Sequence, residues 1–136
     1  MKKLLVFIGM IVLMSGCKKS IEKIAEDLVI KAMTDGQWKV TNFVNNGTNI
    51  TADFTNYKFQ YYENRTVDAI NNGTVEKTGT WNGNATAMTT SANFTSPAYP
   101  LNLINGEWHI VRNSWIYIEV TQTIGPDTKI MRIDKL

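Results

Sequence analysis

The spacing of apolar positions divides the chain into three parts. From Leu4 to Met14 every residue is apolar or glycine, behind a positive start at Lys2 and Lys3. Over 20–33, "SIEKIAEDLVIKAM", the pattern changes to a period near 3.6. Ile21, Ile24, Ala25, Leu28 and Ala32 fall on one stripe, with Glu22, Lys23, Glu26 and Asp27 largely off it. That arrangement predicts an amphipathic helix. Ser20 is placed to cap its start and Gly36 to follow its end. Ile30 falls on the polar side, and the mixed charges favour packing on the helix's own domain over a membrane surface.

From Gly36 onward the period drops to two. Runs of β-branched and aromatic residues alternate with links of Asn, Thr and Gly. They predict strands near 37–45, 57–63, 66–71, 74–81, 85–90, 107–112, 115–121 and 128–135. Tyr57, Phe59 and Tyr61 share one face of their strand. Ile116, Ile118 and Val120 oppose Trp115, Tyr117 and Glu119, and Met131 and Ile133 oppose Ile130. Over 74–81 only Val75, Gly79 and Trp81 lie on the apolar side, so this strand is weakly buried or faces a cavity. The same alternation turns Asn42 and Asn71 inward, pointing to a partly polar interior. "YENRT", "INNGT" and "IGPD" read as turns. The stretch 91–106 reads as a longer loop with one helical turn near Leu101 to Asn105. Short links suit an antiparallel meander, and closing it into a barrel removes its edges.

Length and composition agree with a single folded domain: 136 residues, 43% apolar and 19% charged. The first segment has the order of a secretory signal, and its apolar run is shorter than the roughly 20 residues a membrane-spanning helix needs. "LMSGC", ending at Cys17, resembles the lipobox of bacterial lipoproteins. That resemblance implies cleavage before Cys17, a diacylglycerol on its thiol and an acylated new amine. The expected organisation is a lipoprotein signal peptide over 1–16, a lipidated N-terminus and short helix over 17–35, and a barrel domain over 36–136. The expected location is the bacterial cell envelope, held through the lipid, in the outer membrane. Removing Lys2 and Lys3 also removes the net charge of +2, so no basic footprint remains for nucleic acid. Cys17 is the one cysteine, so no intrachain disulfide can form.

Three G-x-W triplets stand at Gly36–Trp38, Gly79–Trp81 and Gly106–Trp108. "DGQWKVTNF" is similar to the lipocalin-type G-x-W of a first strand. From about residue 30 the chain resembles the small lipocalin-like domains of lipoproteins from Bacteroidetes-type bacteria. The likeness rests on "GQWKVTNF", "YKFQY", "GTW", "PLNLINGEWHIV" and "MRIDKL". It implies an all-β fold, an up-and-down antiparallel lipocalin-like barrel of about eight strands with a short N-terminal helix. It also implies an apolar pocket and carries over no catalytic residue. Core packing is the simpler role for all three tryptophans.

Candidate chemistry changes this picture little. His109 is the sole histidine, and a metal site needs several converging ligands. Glu63, Asp68, Glu76, Glu107 and Glu119 are scattered, with no H-E-x-x-H, phosphate loop or nucleophile elbow. The expectation is a protein that is not an enzyme and needs no metal or cofactor. The N-x-T triplets at Asn46, Asn49, Asn64, Asn72, Asn84 and Asn93 read as turn and strand-edge chemistry. Two roles remain. One is a small apolar ligand held in the barrel by Trp38, Val40, Phe59, Tyr61, Trp81, Ile116, Ile118 and Met131. The other is a filled barrel that meets a protein or glycan partner on its outer face, through Trp115 and Tyr117. The sequence names no protein partner.

Overall fold

In the computed structural model, which describes residues 25–136, helix α1 (25–34) leads into a sheet that closes on itself. The strands are β1 (Trp38–Asn45), β2 (Thr48–Asn49), β3 (Tyr57–Tyr61), β4 (Thr66–Asn71), β5 (Thr74–Asn84), β6 (Thr89–Asn93), β7 (Gly106–Asn113), β8 (Tyr117–Ile124) and β9 (Asp127–Lys135). β3 to β9 pair in chain order, and β1 joins both β3 and β9, so an eight-stranded antiparallel barrel forms. The two-residue β2 is a flap on the end of β1. The expected all-β barrel with a short helix is the fold observed. The signal segment, Cys17 and the helix start at Ser20 lie outside the described residues.

Several expectations shift, each for a local reason. Residues 85–88 are a turn rather than strand: the Asn84 side chain accepts a hydrogen bond from the Ala87 N–H at 2.9 Å, and Met88 takes φ 55°. β5 therefore runs on to Asn84. β6, "TTSAN", starts at Thr89 and takes the first residues of the expected loop. β8 begins at Tyr117 because Ser114 Oγ accepts from the N–H groups of Ile116 and Tyr117, at 3.1 and 3.3 Å. Trp115 and Ile116 consequently form a hairpin tip outside the alternation. A bulge between Val40 and Asn42 changes the phase of β1, so Phe43 and not Asn42 points inward. The interior is apolar as a result, with Gln122 the buried polar side chain among the described residues.

The barrel closes most weakly where β1 meets β3, through the single pair Trp38 and Phe59. The 3₁₀ turn Thr51–Phe54 fills the gap. Phe54 is fully buried and stacks on Phe43 with ring centroids 4.8 Å apart. Thr51 Oγ1 accepts from the Phe43 N–H at 2.8 Å, which ties the turn to β1. Here Asn49 Oδ1 accepts from both the N–H and the hydroxyl of Thr51, and Asn64 does the same for Thr66. Two of the N-x-T triplets are thus local turn locks.

The three G-x-W triplets share one construction. Trp38, Trp81 and Trp108 are all buried. Their indole N–H groups donate to the carbonyls of Met33, Tyr62 and Ile104 at 2.9, 2.9 and 2.8 Å. Lys135, Arg65 and Lys129 lie over the respective rings at 5.2, 5.0 and 5.4 Å. The preceding glycines have backbone reasons. A Cβ on Gly79 would sit 2.4 Å from the Asn93 carbonyl oxygen, and Gly106 takes φ +107° beside the Gln122 amide.

On the outer face, Arg132 joins β9 to β8. Its Nε and Nη2 donate to the two carboxylate oxygens of Asp134 at 2.9 and 3.0 Å, and its Nη1 to Glu119 at 3.0 Å. Thr41 on β1 donates to the same Asp134. The hydrogen bond from Arg132, followed by that from Thr41, holds the Asp134 carboxyl below the usual carboxylate range against the opposing effect of burial. A depressed carboxyl stabilises the fold above its unfolded value of about 3.9, and that contribution is lost as pH falls through the folded value. Urea midpoints measured from pH 7 to pH 2 should therefore fall below about pH 4, and less steeply in Asp134→Asn. Equal acid limbs in the two proteins would remove this carboxyl from the acid sensitivity.

Candidate functional site

Helix α1 covers one end of the barrel, where β5, β7 and β9 finish and β6 and β8 begin. Met33 is buried, and Val29 and Ile30 are half-buried against the core. The Trp38 indole bond to the Met33 carbonyl pins the last turn of the helix to the start of β1. The packed face is therefore 29, 30 and 33, one position round from the stripe 25, 28 and 32. Ile30 belongs to that packed face, against the expectation from the stripe. On the described part of the stripe, Leu28 remains 47% exposed and Ala32 half-buried.

These two side chains border a cleft of about 330 Å³ between α1 and two hairpins. Val29 and Met33 line its inner wall. The β5–β6 hairpin contributes Gly83 to Ala85 and Met88 to Thr90. The β7–β8 hairpin and its strands contribute Ile110, Asn113, Ser114, Trp115 and Ile118. Among the described residues, no charged side chain lines the cleft. Gly83 sets its width, because a Cβ there would stand 3.0 Å from Val29 Cγ1. Trp115 is the exposed tryptophan of the four, at 53%, and forms part of the rim.

A second hollow of about 280 Å³ lies beside the first and shares the wall Gly83, Asn84 and Ala85. Glu26, Asn82 and Thr86 complete it, so its lining is polar where the cleft is apolar. Glu26 is ion-paired with Arg65 at 2.9 Å.

Inside the barrel the outcome is different. The space beneath α1 amounts to about 30 Å³, bordered by residues that include Tyr61, Trp108, Ile118 and Met131. That is room on the order of one water molecule. Trp38, Val40, Phe59 and Trp81 are buried core residues. Tyr61 packs edge-on to Trp81 at 5.5 Å, and burial raises its phenol above the ordinary value. Of the eight residues expected to line a ligand, Ile118 alone reaches the cleft, while Ile116 is 64% exposed on the hairpin tip. Tyr117 lies half-buried beneath the Arg132 guanidinium, 4.3 Å from its ring. His109 is exposed on β7.

Sequence reasoning missed Leu28, Ala32, Met88 and Ile110 as lining residues. A signal existed for the first two, because an apolar helix stripe wider than the face that packs leaves a strip for something else. No signal pointed to the others, which come from turns and strand ends brought together by closure.

No family model matches the chain, and no curated relative matches it. Among solved structures the barrel is similar to the crystal structure of a DUF4847 family protein from Bacteroides vulgatus. The TM-score is 0.56 at 14% sequence identity, over 78% of this chain and 96% of that one. A likeness at that identity is one of fold.

Proposed function

We propose that this protein is a lipid-anchored, lipocalin-like binding module of the bacterial cell envelope that holds a small, largely apolar ligand. The ligand lies in the cleft under α1 and not in the barrel. One observation carries this: the barrel interior is filled, while an apolar cleft of about 330 Å³, uncharged among the described residues, stays open beside it. Small-molecule sites fall at roughly 300–1,000 Å³ and are mostly apolar. The lipobox-like "LMSGC" supports the anchor, with diacylglycerol on Cys17. Only a short stretch of sequence separates Cys17 from α1, so the tether to the α1 end of the barrel is short. Leu28, Trp115 and Ile116 are exposed around that end, and tryptophan favours the membrane interface. A ligand drawn from the bilayer would have a short path.

A second role is contact with a protein or glycan partner through the outer face, and the exposed tip Trp115–Ile116 favours it. Mass spectrometry of protein extracted from its own envelope separates the readings. The expected result is diacylglyceryl Cys17 as the first residue, together with a small lipophile that survives native ionisation. An unmodified Cys17 inside a longer chain would overturn the anchor. Absence of any lipophile, together with no change in tryptophan emission when lipophiles are added, would leave the outer-face role in its place.

A further inference from the structure

We infer that the ligand is an amphiphile with an uncharged, hydroxyl-bearing headgroup, its chain under α1 and its head in the adjoining polar hollow. This rests on the binding role proposed above and adds the ligand's class. Both hollows border Gly83 to Ala85, and the inferred ligand runs over that shared edge from one to the other. Their linings are opposite in kind. In the cleft, Ser114 Oγ and Asn84 Oδ1 already accept backbone hydrogen bonds. A charged group drawn in there would lose water and meet no counterion among the described residues.

The hollow's chemistry then selects the head. Asn82, Asn84 and Thr86 offer amide and hydroxyl groups, which both donate and accept, as hydroxyl partners require. Among the described residues Glu26 is its one carboxylate, and Arg65 holds it at 2.9 Å. The same guanidinium lies 5.0 Å over the Trp81 ring and donates to Asn82 Oδ1 at 3.4 Å. An anionic head therefore meets a cation already committed, and a cationic head meets a carboxylate already paired. A neutral polyol or sugar head meets no such conflict.

The test is calorimetric titration of the full-chain protein with four probes of equal chain length below their micelle concentrations: octyl glucoside, octanol, octanoate and octyltrimethylammonium. Octyl glucoside should bind about tenfold tighter than each of the others, the worth of one or two good hydrogen bonds. Asn82→Ala should bring the glucoside close to octanol and leave octanol unaffected. Thr86→Val, in an exposed turn, should do the same in part without disturbing the Arg65 contacts. Equal affinity for all four probes would overturn the headgroup assignment and leave the apolar site standing. Tightest binding of octanoate or of the ammonium would also overturn it. Failure of every probe to bind would overturn the binding role itself, and this inference with it.

Discussion

Trp38→Ala is expected to destabilise the protein by about 3–5 kcal/mol, the range for removing a buried tryptophan. Domains of this size are typically stable by about 5–15 kcal/mol, so the loss approaches the threshold for folding. The position concentrates three functions in one side chain. Trp38 is fully buried, and it sits where β1 pairs with Phe59 of β3 on one side and Lys135 of β9 on the other. It is therefore at the closure of the barrel, on the side with one residue pair. Its indole N–H also holds the Met33 carbonyl at 2.9 Å, so the same truncation releases the end of α1. Trp38→Phe separates these effects. It keeps most of the apolar volume and drops the N–H, leaving one buried carbonyl without its donor, at about 1–3 kcal/mol. Urea denaturation gives the two losses, and amide exchange over 25–34 reports the helix. The expected pattern is faster exchange in α1 for both variants and a large fall in midpoint for the alanine variant. A Trp38→Ala midpoint within that of an ordinary surface substitution would mean that closure does not depend on this residue.

The barrel was legible because most strands alternate and several turns carry Asn-Gly, Asn-x-Thr or Gly-Pro chemistry. β3, β4, β7 and β9 lie close to where alternation puts them. β6 was not legible as a strand of its own: "TTSAN" carries no large apolar residue, and its partners on β5 and β7 make it a strand. The bulge at Val40 and Asn42 is a one-residue change of phase, which a period-two pattern cannot register. It also explains why Asn42 leaves the interior to Phe43, while Asn71, the other asparagine expected inward, is half-buried and donates to Glu76 at 3.2 Å. The turn Thr51–Phe54 was equally silent, because its purpose is set by a gap between β1 and β3 that exists only after closure. The candidate site was legible on one wall alone. The stripe at Leu28 and Ala32 was visible, but its use depended on which face α1 packs. Met33 decides that through the bond from Trp38, a contact between helix and sheet.

Filling the cleft should separate ligand uptake from folding. Ala32→Phe places a ring among Leu28, Met33 and Trp115 from a half-buried position on α1. A ligand excluded from burying about three to four methylenes loses roughly 0.8 kcal/mol for each, which amounts to about a hundredfold in affinity. Stability should hold or rise, because the new ring covers apolar surface that Leu28 and Trp115 now leave open, and no buried polar group loses its partner. The companion variant is Ile116→Ser, on the exposed hairpin tip and outside the cleft lining. A ligand under α1 should tolerate Ile116→Ser within a few-fold and be lost in Ala32→Phe, with octanol titration as the measurement. The reverse order would move the contact to the outer face, because a partner docking on the hairpin tip meets Ile116 first and has no access to Ala32. Ala32→Phe that lowered the urea midpoint as well as the affinity would mean α1 already closes the cleft in solution, and the open volume would then not be available to a ligand.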